Sequence, residues 1–417
     1  MKRETWITGV GILSCLGEGR DVHWQALADR KVNCDSATYP PYIVHPIPPM
    51  SFDAQIPKKG DQRQMEPWQR IGVYAAGLAL DSAGVKGNAD ILGHMDMIVA
   101  AGGGERDVAV DGAILSGLPK AGADAGETSG AHDRFLNERL MNDLRPTLFL
   151  AQLSNLLAGN ISIVHGVTGS SRTFMGEESA GVDAVRIALA RIAAGQSEIA
   201  LVGGAQNAER KEMLMLYEFG GFALKDQFRP VWDRAAHPGF ALGSMGAFLV
   251  LEASEHARAR GAKPIARLAA VINARSDRQP GAVTATLAEL WNKLPALRPG
   301  SAVISGATGA APATAEERAF LDAHGELPVR ATATCIGHGV EPQFAMNIAL
   351  AALAVERGTL FPPCDPSERP ASGAITQAVV TGVGHWRGEG LALVEAVECA
   401  VQKSGLSAVG TLASLSE

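Results

Sequence analysis

The chain has 417 residues, of which 47% are hydrophobic and 19% are charged, and its formal net charge at pH 7 is −7. This much apolar content excludes a disordered chain, and a net negative charge offers no basic surface for nucleic acid. No run approaches the roughly 18 apolar residues that a membrane-spanning helix needs, so we expect neither a nucleic acid nor a membrane as a partner.

The amino terminus, MKRETWITGVGIL, predicts a strand at Trp6–Gly11. It differs from a signal peptide, because Glu4 and Thr5 follow the basic residues and glycines interrupt the apolar stretch. Five cysteines are scattered along the chain without a CxxC pair: Cys15, Cys34, Cys335, Cys364 and Cys399. This spacing predicts neither a disulfide framework nor a zinc site, so we expect a cytoplasmic protein without metal or cofactor.

Helices and strands alternate along the following part of the chain. The predicted helices are Pro67–Gly84 and Gly181–Gly195, and the predicted buried strands are Met97–Ala101, Ile199–Val202 and Phe248–Leu251. Alternation of this kind predicts an α/β fold whose sheet is largely covered by helices.

An internal similarity predicts that this fold is built from two halves. The helical stretch IALARIA at Ile187–Ala193 has a counterpart, IALAALA, at Ile348–Ala354, and each follows a strand and a glycine-bearing turn. A duplicated α/β unit explains this pattern better than chance. A polar helix at Glu252–Lys263 marks the boundary, which divides the chain into residues 1–262 and 263–417.

The first half also carries a predicted insertion at about residues 104–145. Its centre, Ser116–Ser129, is rich in Gly, Ala and Asp and has no periodicity. We therefore predict a loop there.

In a duplicated fold of this type, a reactive side chain is expected where a strand turns into a helix. Amide groups at the start of the helix point toward that position and favour negative charge. The first half offers the turn Phe174–Gly181, and the second half offers Cys335–Gly339.

The whole chain resembles the β-ketoacyl-acyl-carrier-protein synthases, which are condensing enzymes with the thiolase fold. The similar segments are Trp6–Leu27, Pro146–Gly166, Ile199–Ala205, Arg229–Gly243 and Phe248–Lys263. The resemblance implies an α/β, thiolase-like fold with duplicated α/β halves in a layered αβαβα arrangement.

The resemblance places Glu178 where the family has its nucleophilic Cys, within the stretch Gly176–Gly181. Condensation needs a thiolate that holds the acyl chain as a thioester, whereas acyl transfer to a carboxylate gives a labile mixed anhydride. We therefore expect that the chain does not catalyse condensation by itself.

Other catalytic positions of the family have also changed. The first His corresponds to Ala307 or Thr308, and the Lys of the second turn corresponds to Ala333. The second His is retained as His338, and the gating Phe near the end of the chain corresponds to Val383. The predicted site is therefore degenerate.

Two interpretations of Glu178 remain open. Its carboxylate could occupy the anion site at the start of the helix, in place of the thiolate, or it could form a local N-cap or ion pair. Glu177 is expected to diverge from Glu178, because neighbouring residues on a turn diverge, so we do not expect a paired-carboxylate acid/base dyad. His338 is expected to be a hydrogen-bonded turn residue, and Cys335, the only cysteine near the predicted site, a buried and inert one.

The chain is similar in particular to the chain-length-factor subunits of type II polyketide synthases. Those subunits keep the fold, lack the Cys and pair with an active ketosynthase. They carry Gln at the nucleophile position, and the Glu-bearing turn here looks more like that of the chain-length-factor-like subunits of aryl polyene-type pathways. The resemblance implies two partners: a ketosynthase with an intact Cys, in a heterodimer, and an acyl carrier protein.

The resemblance also suggests positions near the partner's acyl tunnel. Leu148, Phe149, Gln152 and Val383 are expected at the tunnel or the interface, although apolar residues of such segments more commonly just pack in a core or a dimer contact. A different class of function is a malonyl-carrier-protein decarboxylase, or a weakly active synthase, that uses Glu178 and the retained His. The loss of the first His argues against this alternative.

Overall fold

The computed structural model of the protein describes residues 3–118, 127–144 and 148–397. The strands of the amino-terminal part are β1 (Thr5–Ser14), β2 (Gly17–Glu18), β3 (Val44–His45), β4 (Asp96–Ala100), β5 (Ser171–Phe174), β6 (Ile199–Gln206), β7 (Leu242–Gly243) and β8 (Met245–Ala253). The strands that follow are β9 (Ala266–Ala274), β10 (Ser301–Ser305), β11 (Val329–Ala331), β12 (Gln377–Val383) and β13 (Glu389–Glu395).

Helices connect most of these strands. Those that precede β9 are α1 (Arg20–Ala28), α2 (Lys59–Gln64), α3 (Pro67–Ser82), α4 (Ala89–Leu92), α5 (Val108–Gly117), α6 (Glu127–Asp143), α7 (Leu148–Ala151), α8 (Leu156–His165), α9 (Glu178–Ala193), α10 (Lys211–Phe219) and α11 (Ser254–Ala259). Those that follow are α12 (Ala282–Trp291), α13 (Ala313–Asp322), α14 (Ala333–Ile336) and α15 (Gln343–Arg357).

The main sheet has a strand order that repeats itself about its centre. The order is β5-β4-β6-β8-β1-β9-β13-β12-β10-β11, and β2 pairs with β1. Strands β4, β5 and β6 are parallel, as are β10, β11 and β12, while β8 and β13 run antiparallel to their neighbours. The two sets meet where β1 pairs with β9. The predicted α/β fold is therefore confirmed, with the repeat expected of duplicated halves; the division between residues 262 and 263 stays a prediction.

Helices lie in three layers around this sheet. Helices α9 and α15 contact each other and strands of both halves, so they form the middle layer. Helix α3 packs on β1, β6 and β8, while α12 and α13 cover the second half, and each group has its own buried apolar cluster. The three helical layers alternate with the two halves of the sheet, which gives the αβαβα arrangement. Among the described residues, no helix is both long and apolar enough to cross a membrane.

The abundance of glycine has a packing consequence in β1. A Cβ atom at Gly11 would lie 2.1 Å from the carbonyl oxygen of Ala75 in α3, and one at Gly9 would lie 2.4 Å from that of Ala79. These glycines let the helix backbone approach the strand more closely than any side chain permits.

The predicted loop at Ser116–Ser129 was wrong at both ends. Helix α5 continues to Gly117 and α6 begins at Glu127, while residues 119–126 lie outside the described part of the chain. A periodic apolar pattern arises where one face of a helix is buried. Helix α5 has no buried residue, so its sequence carries no amphipathic pattern.

Candidate functional site

The two strand-to-helix turns come together in the structure. After β5, the chain passes through Glu177, with a φ of 60° that side chains rarely adopt, and α9 begins at Glu178. After α14, Gly337 also has a positive φ of 70°, and His338 follows it. The His338 Nε2 lies 2.8 Å from the Glu178 Oε1, across 160 residues of sequence.

A second imidazole binds the same carboxylate. The His385 Nδ1 lies 2.9 Å from Oε1 and 3.2 Å from Oε2 of Glu178, and the His385 backbone N–H donates to Oε1 at 3.3 Å. All three residues are buried, and Glu178 is only 5% exposed. The local N-cap that the sequence allowed is not formed, since the start of α9 has no side-chain cap; Glu178 instead binds partners far away in the sequence.

Electrostatics favour a charged pair within this cluster. Burial by itself would raise the pKa of Glu178, but the charge of His385 and the hydrogen bonds from both imidazoles hold it well below its ordinary value. Burial would lower the pKa of His385, and the Glu178 carboxylate reverses this effect and raises it. The carboxylate is therefore ionised at neutral pH, and the raised pKa of His385 favours a protonated imidazole against it.

The Glu177 carboxylate lies on the other side of the same imidazole. The Glu177 Oε1 lies 3.7 Å from the His385 Nε2, and the Trp386 Nε1–H donates to Glu177 Oε2. The unusual backbone of Glu177 accompanies this geometry, in which consecutive carboxylates face opposite nitrogens of one imidazole.

Aromatic rings enclose His385 on its remaining sides. Tyr217, Phe222 and Phe240 contact its ring edge to face, with ring centroids 5.5, 4.6 and 5.5 Å away. These apolar walls separate the ion pair from solvent and strengthen its electrostatic interactions. His385 was not predicted from the sequence. The feature that could have identified it is the adjacent imidazole and indole in the closing stretch GVGHWR, from which only Val383 was selected.

The other degenerate positions form a small apolar cluster. Ala307 and Ala333 pack together with Val231 and Ala331, where the resemblance implied a His and a Lys. Thr308 is buried, and its carbonyl accepts a hydrogen bond from Arg234 at 3.0 Å. None of these side chains supplies a charged or imidazole group to the site.

The predicted tunnel and interface positions have different environments. Leu148 is buried and lines a cleft of about 530 Å³, whereas Phe149 is 72% exposed. The carbonyl of Gln152 accepts a hydrogen bond from the Gly104 N–H at 3.1 Å. Val383 packs in the buried cluster beneath α12 and α13. The role of these positions beside a partner stays a prediction.

Cys335 offers no nucleophile in place of the missing one. It is fully buried, and a hydrogen bond with Cys364 together with burial raises the pKa of its thiol well above the ordinary value. The thiol is therefore protonated at neutral pH, and a protonated thiol is a poor nucleophile.

A further buried carboxyl group lies in the second half. Glu317 is fully buried and accepts hydrogen bonds from Ser305 and Thr381 through Oε1, while Oε2 has no partner among the described residues. Burial raises its pKa from 4.5 to about 7. Because the folded state favours the protonated form, this group's contribution to stability is complete below about pH 4.5 and is lost as the pH rises through 7.

Replacing Glu317 by glutamine should remove that dependence. Between pH 5 and pH 8 the wild-type free energy of unfolding should fall by about 2.5 kcal/mol relative to Glu317→Gln, as urea unfolding at both pH values would measure. Parallel pH profiles for the two proteins would contradict the assignment.

Comparisons with known proteins agree with this architecture. The family model described as "Beta-ketoacyl synthase, N-terminal domain" matches residues 2–257. The 3-oxoacyl-[acyl-carrier-protein] synthase 2 of Rhizobium meliloti (strain 1021) is 27% identical over 412 residues, which cover 88% of this chain and 90% of that protein. The match to synthase 2 of Vibrio harveyi, also 27% identical, spans only 62% of that protein's length.

Relatives from polyketide pathways are similar as well. The tetracenomycin polyketide synthase ketoacyl synthase beta subunit of Streptomyces glaucescens is 26% identical over 88% of this chain and 89% of its own. Among solved structures, the ishigamide ketosynthase/chain length factor superposes with a TM-score of 0.76 at 19% identity, over 95% of this chain and all of that one. The structural match establishes the thiolase-like ketosynthase fold.

Proposed function

Because the chain belongs to the β-ketoacyl synthase family, we propose that it is a chain-length-factor-like subunit that does not itself condense. It would pair with a ketosynthase whose Cys is intact, receive its substrates on an acyl carrier protein, and help to shape the acyl tunnel. The pathway class is type II polyketide or fatty-acid-like biosynthesis, and the Glu-bearing turn resembles that of the aryl polyene type. The observation that carries this proposal is the Glu178 carboxylate, bound by two imidazoles in a buried cluster where the family holds a thiolate.

The chemistry of the site supports a non-catalytic role. Hydrogen-bond donors lower the nucleophilicity of a carboxylate, which is already a poor nucleophile, and both Glu178 oxygens accept hydrogen bonds from His385. Stabilisation of an enolate requires donors aimed at the developing negative charge. Nε2 of His338 faces Glu178 instead, and Ala307 has no donor in its side chain.

The names of two similar proteins support the subunit assignment. One relative is called a ketoacyl synthase beta subunit, and one similar structure is that of a ketosynthase/chain length factor. By analogy, the chain would act as the subunit without the active Cys.

The open edge of the sheet offers a surface for the partner. Strand β5 ends the strand order, and no other strand in the described part of the chain pairs with its outer side. Two large apolar side chains next to it are exposed: Ile163, on the helix α8 that packs on β5, at 73%, and Met175, which follows β5, at 64%. Phe149 on α7, which the resemblance places at the interface, is 72% exposed. An unpaired edge beside exposed apolar groups is a surface suited to pairing with another chain.

Charged substitutions on this surface should weaken the heterodimer. In Phe149→Glu and Met175→Glu, a carboxylate would lose water on association without gaining a partner, so affinity for the co-expressed ketosynthase should fall tenfold or more. The control Val22→Glu introduces the same charge at an exposed apolar position of α1, away from β5, and should bind like the wild type. Affinity would be measured by titrating the labelled ketosynthase; equal losses in all three variants would contradict this location of the interface.

The decarboxylase alternative has less support from the geometry. It needs an imidazole free to stabilise an enolate, whereas the buried His338 places Nε2 on Glu178 at 2.8 Å. Any such activity would require the ion pair to open first.

A further inference from the structure

The strand that begins the second half of the sheet is paired along only part of one side. Strand β9 pairs with β13 over most of its length, but on its other side only Ala266 and Arg267 pair with β1. From Leu268 to Ala274, no strand in the described part of the chain pairs with this side. At about 3.3 Å per residue, this free edge is about 20 Å long. The outward backbone groups of such an edge can pair with another extended segment.

Two helices enclose this edge and make it the floor of a slot. A cleft of about 780 Å³ runs along β9 between α9 and α12. The helices lie on opposite faces of the strand, since Val271 belongs to the buried cluster of α9, whereas Ala270 and Ile272 pack against the cluster of α12. The α9 wall includes the small side chains of Ala190 and Ala193. A slot that continues a sheet between two helical layers has the shape that one further strand would fill.

The charged groups of the slot are largely occupied. Of its four basic side chains, Arg3, Arg186 and Arg267 pair with carboxylates of this chain, and Lys293 is the fourth. The features that remain to hold a ligand are the free backbone edge and the apolar walls. They favour an uncharged, extended polypeptide over an anion, because an extended peptide binds an open sheet edge through its main chain.

The chain itself supplies a segment of this kind beside the slot. The described part ends at Val397, directly after β13, whose Glu395 pairs with Arg267 at the end of the slot. The next six residues, 398–403, can span up to about 20 Å, whereas two strand spacings amount to about 10 Å. Residues 404–416, with the sequence SGLSAVGTLASLS, contain no charged residue and no proline. Each of their amide groups can therefore donate a hydrogen bond to a neighbouring strand.

We propose that the slot binds residues 404–416 of the same chain as an additional strand beside β9. Their backbone would pair with the free edge, and their small and aliphatic side chains would pack against α9 and α12. The additional strand would cover an edge that otherwise invites pairing with other chains. This site would exist whichever partner subunit the chain has.

Hydrogen–deuterium exchange of the full chain, followed by mass spectrometry, tests the proposal. A proline removes an amide donor and disrupts a strand, so Thr411→Pro should make the amides of the β9 edge exchange at least tenfold faster than in the wild type. Gln402→Pro introduces the same residue into the connecting stretch and is the matched control, which should exchange like the wild type. Exchange in the buried helix α15 should be the same in all three proteins, which shows that the fold is intact.

Binding of a separate peptide gives a second readout. A labelled synthetic peptide of residues 404–416 should bind the Thr411→Pro chain at least tenfold more tightly than the wild type, whose slot is already occupied. Adding Ala190→Trp to Thr411→Pro should fill the slot and abolish this binding, whereas adding Ala285→Trp, at an exposed position of α12 outside the cleft, should not.

Three results would overturn the proposal. The first is equal exchange of the β9 edge in the wild type and in Thr411→Pro, together with equal peptide binding. The second is protection of the edge that depends on protein concentration, because the occupant would then be a second copy of the chain. The third is protection that arises only when a ketosynthase is added, because the partner would then supply the strand.

Discussion

Replacing Glu178 by alanine is expected to lower the free energy of unfolding by about 3–5 kcal/mol, the range seen when one partner of a buried ion pair is removed. The substitution leaves the His385 imidazole enclosed by aromatic rings, with only Glu177 at 3.7 Å for compensation. It also leaves Nε2 of His338 without its acceptor. Urea unfolding of the purified chain, followed by tryptophan fluorescence, would measure the loss.

Two further variants serve as controls for this measurement. Glu178→Gln keeps an oxygen that can accept a hydrogen bond, so it should cost less than Glu178→Ala. Glu198→Ala removes a carboxylate that pairs with Arg3 at the surface, where both side chains are more than a third exposed, and should change stability by less than about 1 kcal/mol. A Glu178→Ala loss no larger than that of Glu198→Ala would show that the buried cluster contributes nothing.

Restoring the family's nucleophile should not restore its chemistry. We expect the condensation rate of Glu178→Cys to be at least about 10³-fold below that of the active ketosynthase. A thiolate alone does not suffice, because catalysis also needs donors for the developing oxyanion. Ala307 and Ala333 supply none, and they pack in an apolar cluster. The assay would follow chain elongation from acyl- and malonyl-carrier protein.

The same assay must be run in a complex whose ketosynthase subunit is catalytically inactive. The partner's nucleophilic Cys is replaced by alanine, so that any product must come from Glu178→Cys, and a complex with both native subunits serves as the positive control. Elongated product from the Cys-substituted chain would mean that the remaining groups suffice for catalysis and that the loss of Cys alone silences the site.

The sequence predicted the elements whose pattern reflects burial. The strand at Met97–Ala101 and the helix at Pro67–Gly84 lie within two residues of β4 and α3. The exposed helix α5 had no such pattern, and the predicted loop at Ser116–Ser129 overlaps its last two residues. Boundaries and types are predictable where apolar residues report a buried face, and not where a helix is covered by solvent.

The site was predictable only in part for a related reason. Glu178 and His338 stood out because they fall in motifs that resemble those of a known family. His385 lies in the closing stretch from which only Val383 was selected, and it reaches Glu178 across 207 residues of sequence. The contact depends on how β12 and α9 are packed, which no local pattern encodes.

The proposed function depends on the pairing of this chain with a ketosynthase that has an intact Cys. Native mass spectrometry of the two co-expressed proteins tests it most directly, because the mass of the complex gives its composition. We predict a one-to-one heterodimer that, after incubation with acyl-carrier protein, carries the acyl group on the ketosynthase alone. A stable homodimer of this chain that ignores the ketosynthase, or an acyl group attached to the subunit that contains Glu178, would contradict it.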